Sequence, residues 1–409
     1  MSGRRSKLAL DVLRLYAEYM RLSRQVQGLR DIARLEFKQY KDLKPKDNLI
    51  YIEYLIRRGK SQLTTLKGQE SLSNILANFP SNYTINGHNN QQHITFAFGY
   101  GSGVLKQQQD INKSTNQNQI DLIFAVNNSF KFHEENLQLN PHHYSFLRHF
   151  GVSTITRIQE TRGARIYFNP YVKFNNDSNT LYKYGIISRK HLIRDLLDWE
   201  TLYVAGRLQK PVSVIQIDQT DQDLIYALKT NLNSALHVAL LLLPEEFTLK
   251  DLFLKIASLS YQGDFRMYIG ENKNKISNIV LPQIDVFINL YSNLILNDTH
   301  LHWNKIRTLD TMVKQDVSPT SIFKRLLALP KHVITNIMES ITLKTRQYQD
   351  TEEVIRKLCL STQRREKIEH AVRSIVKRSS ITQTFKGVLT AGFLRSTRYA
   401  LAKLKKMIR

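Results

Sequence analysis

Residues 96–126 read FAFGYGSGVLKQQQDINKSTNQNQIDLIFAV, and the fold turns on them. Ile94, Phe96 and Phe98 alternate with smaller residues, as a strand does. The pattern breaks into Gly99-Tyr100-Gly101-Ser102-Gly103, and a second apolar run then begins with a single carboxylate, Asp121-Leu-Ile-Phe-Ala-Val. Strand, small-residue turn and a strand headed by Asp together form a scaffold for nucleotidyl transfer. Gly101 and Gly103 would let backbone N–H groups approach a triphosphate, and Ser102 would add a hydroxyl. Asp121 would hold Mg2+, which neutralises phosphate charge during in-line attack. Glycine turns of this kind are also common without any ligand.

Polymerase-beta-type nucleotidyltransferases place a second carboxylate two residues after the first, and here that position is Ile123. The rest of the chain bounds the reading. Its 409 residues suffice for two or three domains, and a net charge of +24 favours anionic partners: nucleotides, nucleic acid or acidic lipid. One cysteine, Cys359, excludes an intramolecular disulfide and a cysteine-built zinc site. The longest apolar run, around Ala235–Pro244, is too short to span a bilayer.

The expected fold class is α+β, in four parts. Residues 1–70 have apolar stripes at helical spacing and predict a three-helix bundle with 16 Lys+Arg against 8 Asp+Glu. Residues 71–220 form the nucleotidyltransferase core. Within it, the Lys183 strand and the segment around Arg207 and Lys210 offer cations for phosphate, or charges that merely flank a strand. His133, His142 and His143 lack a cysteine or HExxH context and read as polar packing rather than metal ligands. Residues 221–370 turn helical. Asp264 and Arg266, astride Phe265, read either as an ion-paired turn or as groups reaching the nucleotide, with Asp264 replacing the carboxylate missing at Ile123. Residues 300–320 read as an exposed loop. The tail, 371–409, has ten Lys/Arg and no Asp/Glu. Arg395, Arg398, Lys403, Lys405 and Lys406 flank an apolar face there, as in a helix lying on an anionic membrane; a core-packed or nucleic-acid-binding helix has the same pattern.

Two resemblances sharpen these readings. Leu13-Arg-Leu-Tyr-Ala-Glu-Tyr-Met-Arg-Leu-Ser-Arg, Glu36-Phe37, and Ile52-Glu-Tyr-Leu-Ile-Arg-Arg-Gly-Lys resemble the LYR-motif family, in particular its first succinate dehydrogenase assembly factor. Leu15 and Tyr16 match the motif, Ala17 stands at its Arg position, and Arg57, Arg58 and Lys60 match its basic patch. That likeness implies a matrix adaptor for acyl carrier protein, an iron–sulfur chaperone or the dehydrogenase's iron–sulfur subunit.

The second likeness covers residues 72–409. FGYGSGV, IDLIFAV, HYSFL, KYGIIS, LYVAGRLQKPV, NLNSAL, LSYQGDFRMYIGE and RSSITQTFKGVLTAGF are similar to the mitochondrial translocator assembly and maintenance family, the peripheral CDP-diacylglycerol synthases. This likeness implies CTP and phosphatidic acid as substrates, Mg2+, and the matrix face of the inner membrane with its anionic lipids. It also implies cardiolipin synthesis as the purpose and no nucleic-acid partner. The implied architecture is a nucleotidyltransferase domain, a winged-helix-like helical domain and an amphipathic C-terminal helix. On the chemistry of that reaction Asp121 and Asp264 are the candidates for catalysis, and Gly101, Ser102, Gly103, Lys183, Arg207, Lys210 and Arg266 those for the nucleotide. Where the family often has Asp-Asp, this chain has Asn127-Asn128. If that pair binds metal, the alternative is a catalytically weak adaptor or complex II assembly factor; if it caps a helix, Asn serves as well.

Overall fold

The computed structural model describes residues 7–22, 94–101, 103–104, 119–174, 177–267, 274–303, 311–345 and 351–391. The chain divides into two compact units, Met1–Leu76 and Ala77–Arg409. In the first, helix α1 (Lys7–Leu22) carries Leu15, which is buried, and Tyr16. The other two helices expected in that bundle, with Arg57, Arg58 and Lys60, lie outside the described residues.

The second unit contains a five-stranded sheet among its described residues. Its strands are β1 (Ile94–Tyr100), β2 (Ile120–Val126), β3 (Ile166–Phe174), β4 (Asp177–Ser188) and β5 (Ser213–Ile217), in the order β3-β4-β2-β1-β5. β2 and β4 run parallel, and the other neighbours are antiparallel. β1 is buried along nearly its whole length, as a strand with a neighbour on each side and layers on both faces must be. Helices α2 (Ser129–Leu139) and α3 (Gly151–Thr161) connect β2 to β3; α4 (Arg189–Asp198) and the short α5 (Ala205–Leu208) connect β4 to β5. Side-chain alternation sorts the two faces. Phe96, Phe98, Ile123, Ala125, Ile166, Phe168 and Ile187 join Leu192 and Leu196 of α4 in the main core. Tyr167 and Tyr184 point the other way and meet the histidines, with Phe124 stacked on Tyr184. His133 bonds Tyr144 Oη at 2.9 Å and Gln159 Oε1 at 2.7 Å, and His143 bonds Tyr184 Oη at 2.9 Å. Burial pushes His133 down to about 4, so it is a neutral packing residue.

The chain continues through α6 (Gln222–Leu242), β6 (Glu246–Thr248), α7 (Leu249–Leu259), α8 (Lys275–Val280) and α9 (Ile284–Leu296), then β7 (Leu301–Trp303) and β8 (Met312–Gln315). It ends in α10 (Pro319–Leu327), α11 (Lys331–Thr345), α12 (Thr351–Leu360) and α13 (Arg364–Ala391). The span 300–320 is therefore not a plain loop: β6, β8 and β7 form a three-stranded antiparallel sheet. Its strands are three or four residues long, too short for a period of two to register in sequence. Among the described residues, Lys275–Leu296 is long and apolar enough to cross a membrane. Its Val280, Phe287, Tyr291 and Ile295 are nevertheless buried in the core, and Tyr291 Oη donates to the Gln209 carbonyl at 2.9 Å.

The C-terminal helix corrects a boundary. α13 starts at Arg364, and Ala371, Val372, Ile375 and Val376 belong to the core. The first half of the supposed membrane tail is thus a packed helix. Arg395, Arg398, Lys403, Lys405 and Lys406 lie outside the described residues. Two buried polar side chains fasten α13 to the sheet domain. Gln383 accepts from Ala164 N at 2.9 Å and donates to the Ile166 carbonyl at 3.3 Å. Lys386 Nζ donates to the Gln159 and Arg162 carbonyls, at 3.1 and 2.9 Å, at the C-terminal end of α3.

Burial, with Arg165 nearby, pushes Lys386 down to about 7. In the unfolded chain an ordinary lysine titrates near 10.4. Between those values the unfolded state holds more protons, so this residue makes stability rise with pH from about 7 to 10. We expect the urea midpoint of Lys386→Met to rise less over that window than that of the parent. Parallel profiles would contradict the assignment.

Candidate active site

Asp121 stands second in β2, facing Tyr100 of β1 on one side and Lys183 of β4 on the other. Lys183 Nζ sits 3.2 Å from Asp121 Oδ1 and 4.5 Å above the Phe168 ring. The ring lies there because residue 185 is glycine: a Cβ would come within 2.5 Å of Phe168 Cε1. Gly101 adopts φ +81°, open to glycine at little cost, and a Cβ there would face Asp121 Oδ2 at 3.7 Å. Gly103 lies against the Gln119 backbone, where a Cβ would overlap the carbonyl oxygen at 2.2 Å. The glycine turn therefore closes directly over the start of β2. Ser102 lies outside the described residues.

Arg207 enters from α5. Its guanidinium lies 4.0 Å from the Tyr203 ring centroid and 5.0 Å from that of Tyr100, and it donates to the Tyr203 carbonyl. Burial pushes the Tyr203 hydroxyl up, but Arg207, Arg266 and Lys183 outweigh it and hold the group below the ordinary tyrosine value. Three of the cations singled out in the sequence therefore act on one phenol. Burial dominates at Tyr100 and raises it, with Lys183 and Arg207 pulling partly back.

Arg207 is placed by residues the sequence did not single out. Asp195 of α4 is buried. Its Oδ1 accepts from Thr201 N, Thr201 Oγ1 and Leu202 N, each at 2.8 Å, and its Oδ2 accepts from Val204 N and Ala205 N, at 3.0 and 2.9 Å. Asn231 of α6 braces the same loop, accepting from Trp199 Nε1 at 3.0 Å and donating to the Ala205 carbonyl at 3.0 Å. Trp199 and Leu202 sit at φ 55° and 52°, a left-handed conformation that side chains resist. An Asp inside an amphipathic helix gives no local sign of this work; only its proximity to five donors reveals it.

Two of the residues singled out have protein partners. Lys210, expected on phosphate, is buried; its ammonium donates to the Gly206 carbonyl and to Ser260 Oγ, the latter at 2.8 Å. Burial, with Arg207 and Lys275 nearby, pushes it down to about 7. It ties the core to the end of α7, where Gly206 leaves no room for a Cβ beside Ser260. Ile123 is itself buried in the core. Asp264 is paired with Arg266, with Nη2 to Oδ2 at 2.6 Å and Nε to Oδ1 at 3.0 Å. Asp264 thus orients Arg266, as the ion-paired-turn reading anticipates.

No group of three or more His, Cys, Asp or Glu gathers to hold a metal among the described residues. Asp121, with 28% of its side chain exposed, offers a single hard oxygen ligand. That suits Mg2+, which keeps several waters and takes one or two carboxylates together with substrate phosphates. Asn127 and Asn128 cannot share that ion. They follow the far end of β2, about 20 Å from Asp121 at 3.3 Å per residue. Asn128 instead caps α2, its Oδ1 accepting from Lys131 N at 3.1 Å.

The chain is similar in sequence to known proteins. The family described as "Phosphatidate cytidylyltransferase, mitochondrial" matches residues 86–406, a later start than residue 72. A Xenopus laevis protein of that name is 40% identical over 318 residues, covering 78% of this chain and 92% of its own. Its Caenorhabditis elegans namesake is 38% identical over 316 residues, covering 77% and 95%, and the Mus musculus one 38% over 336, covering 82% and 94%.

Proposed function

The chain belongs to the mitochondrial phosphatidate cytidylyltransferase family, and from that membership we propose how its residues carry the reaction. It joins CTP to phosphatidic acid, giving CDP-diacylglycerol and pyrophosphate. The observation that carries this reading is the pairing of Asp121 with Lys183 beneath the Gly101–Gly103 turn, with Arg207 held alongside.

A phosphate oxygen of phosphatidic acid attacks the α-phosphorus of CTP in line, and the bond to the β-phosphate oxygen breaks. The attacking oxygen is already anionic at neutral pH, so no general base is needed. Positioning and charge neutralisation dominate. Backbone N–H groups of the turn cradle the triphosphate. Lys183 and Arg207 face its oxygens, Arg207 as a rigid fork fixed between two tyrosines. Arg266, oriented by Asp264, adds positive field from the far side of Tyr203. Asp121 would hold Mg2+, which supplies further neutralisation of the phosphates.

We place the protein in the mitochondrion, peripheral on the matrix side of the inner membrane. There the basic segment after Ala391 lies on anionic lipid and the product feeds cardiolipin synthesis. The helical half is read as winged-helix-like. Residues 1–70 lie outside the family match. Their proposed role as an LYR-type succinate dehydrogenase assembly module rests on Leu15 and Tyr16, carried on α1.

The test is conversion of labelled CTP by the full chain on liposomes containing phosphatidic acid, with Mg2+. Lipid-soluble cytidine product is expected. Folded, liposome-bound protein that yields none would return the chain to the adaptor reading.

A further inference from the structure

The face of the sheet opposite Asp121 carries an unusual turn. After α2, residues 141–150 form two short 3-10 helices, Pro141–His143 and Phe146–Phe150. Their inward side chains anchor them. His143 bonds Tyr184, the neighbour of Lys183 on β4, and Tyr144 Oη bonds His133 and accepts from Asn136 Nδ2. Their outward side chains are large and apolar. Phe146 is 51% exposed and Phe150 63%, with ring centroids 6.1 Å apart, and Leu139, just before the turn, is 62% exposed. The turn buries His143, Tyr144 and Leu147 yet leaves the two large rings of Phe146 and Phe150 in solvent.

Along the chain no Asp or Glu occurs between Glu135 and Glu160, and Arg148 and Arg157 are exposed cations, with His142 and His149 exposed beside them. Arg148 also donates to the Pro141 carbonyl at 3.3 Å, which joins the two 3-10 helices into one knuckle. Exposed aromatic side chains flanked by arginine are complementary to the interface of an anionic bilayer.

The knuckle is joined to the C-terminal helix through α3. Phe150 is the N-cap of α3, and the far end of α3 is gripped by Lys386 of α13. Eleven helical residues separate the two ends, about 16 Å at 1.5 Å per residue.

We propose that the Phe146–Phe150 knuckle is a second membrane contact, which inserts Phe146, Phe150 and Leu139 into the interface of an anionic bilayer. The proposal rests on the phosphatidate reading for its purpose, but not for its measurement.

Two measurements on the full chain test it. Cys359 is the only cysteine in the sequence and is buried, so Phe150→Cys takes an environment-sensitive fluorophore selectively. On vesicles of phosphatidylcholine with phosphatidic acid, its emission should rise several-fold and shift to the blue, with a smaller change on phosphatidylcholine alone. Vesicle-bound protein with unchanged emission would overturn the proposal and leave the knuckle as a bare or protein-contacting surface. Second, Phe146→Ser with Phe150→Ser should lower kcat/KM on vesicle-borne phosphatidic acid about tenfold and leave turnover of a short-chain, monomeric phosphatidic acid unchanged. Equal loss on both substrates would mean a structural effect and would also overturn it. If the parent converts neither substrate, the phosphatidate reading fails, and the fluorescence still decides insertion.

Discussion

Asp121→Asn is expected to reduce CDP-diacylglycerol formation about a thousandfold while leaving the protein folded, the loss typical when a charge-neutralising group at a reacting phosphate is removed. The substitution keeps the size of the side chain and the β2 pairing, and removes one negative charge beside Lys183. Both side chains are more than a fifth exposed, so losing the pair should cost only about 1 kcal/mol of stability. The two effects therefore separate: steady-state turnover of labelled CTP falls, and the melting temperature barely moves. Activity within tenfold of the parent would remove Asp121 from the reaction and leave it a strand-end ion pair.

The second large effect is on the fold. Asp195→Ala should destabilise the protein by about 3–5 kcal/mol, because it leaves several buried N–H groups without acceptors and releases a backbone held in left-handed geometry at Trp199 and Leu202. At about 2–4 °C per kcal/mol, thermal unfolding should come roughly 10 °C earlier. Residual folded protein should also lose activity, since the loop carries Tyr203 and Arg207 into the site. Asp195→Asn distinguishes packing from acceptor count: it keeps the volume but turns one oxygen into a donor aimed at N–H groups, so it should recover only part of the stability. A melting temperature equal to the parent's in either variant would show that the loop holds itself.

Much of the site was legible in a linear reading because its residues carry local signatures. Gly101, Gly103 and Asp121 are close in sequence, and β1 and β2 announce themselves by apolar runs with turn residues between them. Arg207 and Lys210 stood out as cations beside glycine and proline, and Lys183 as a cation on an expected strand. What was missed acts across distance. Asp195 and Asn231 reach a loop from two different helices, and Phe168 supports Lys183 from the neighbouring strand. Lys210 and Asp264 were read as ligands because their side-chain types suit phosphate or metal. Their partners, Ser260 and Arg266, hold them by hydrogen bonds and an ion pair. In the tail, composition showed a basic amphipathic segment but could not show that its first half packs against the sheet domain through Gln383 and Lys386.

The sequence by itself determined the family, the α+β class, the glycine turn and its carboxylate, since each is a short-range pattern of residue type and spacing. Only the tertiary structure decided which charges converge at that carboxylate and which are consumed as structural ties. It also decided that Asn128 caps a helix about 20 Å from any metal Asp121 would hold. The physical reason is that charge, unlike hydrophobic periodicity, has no preferred spacing in sequence. A buried ion's role is set by the partner within about 3 Å, and that partner arrives from elsewhere in the chain.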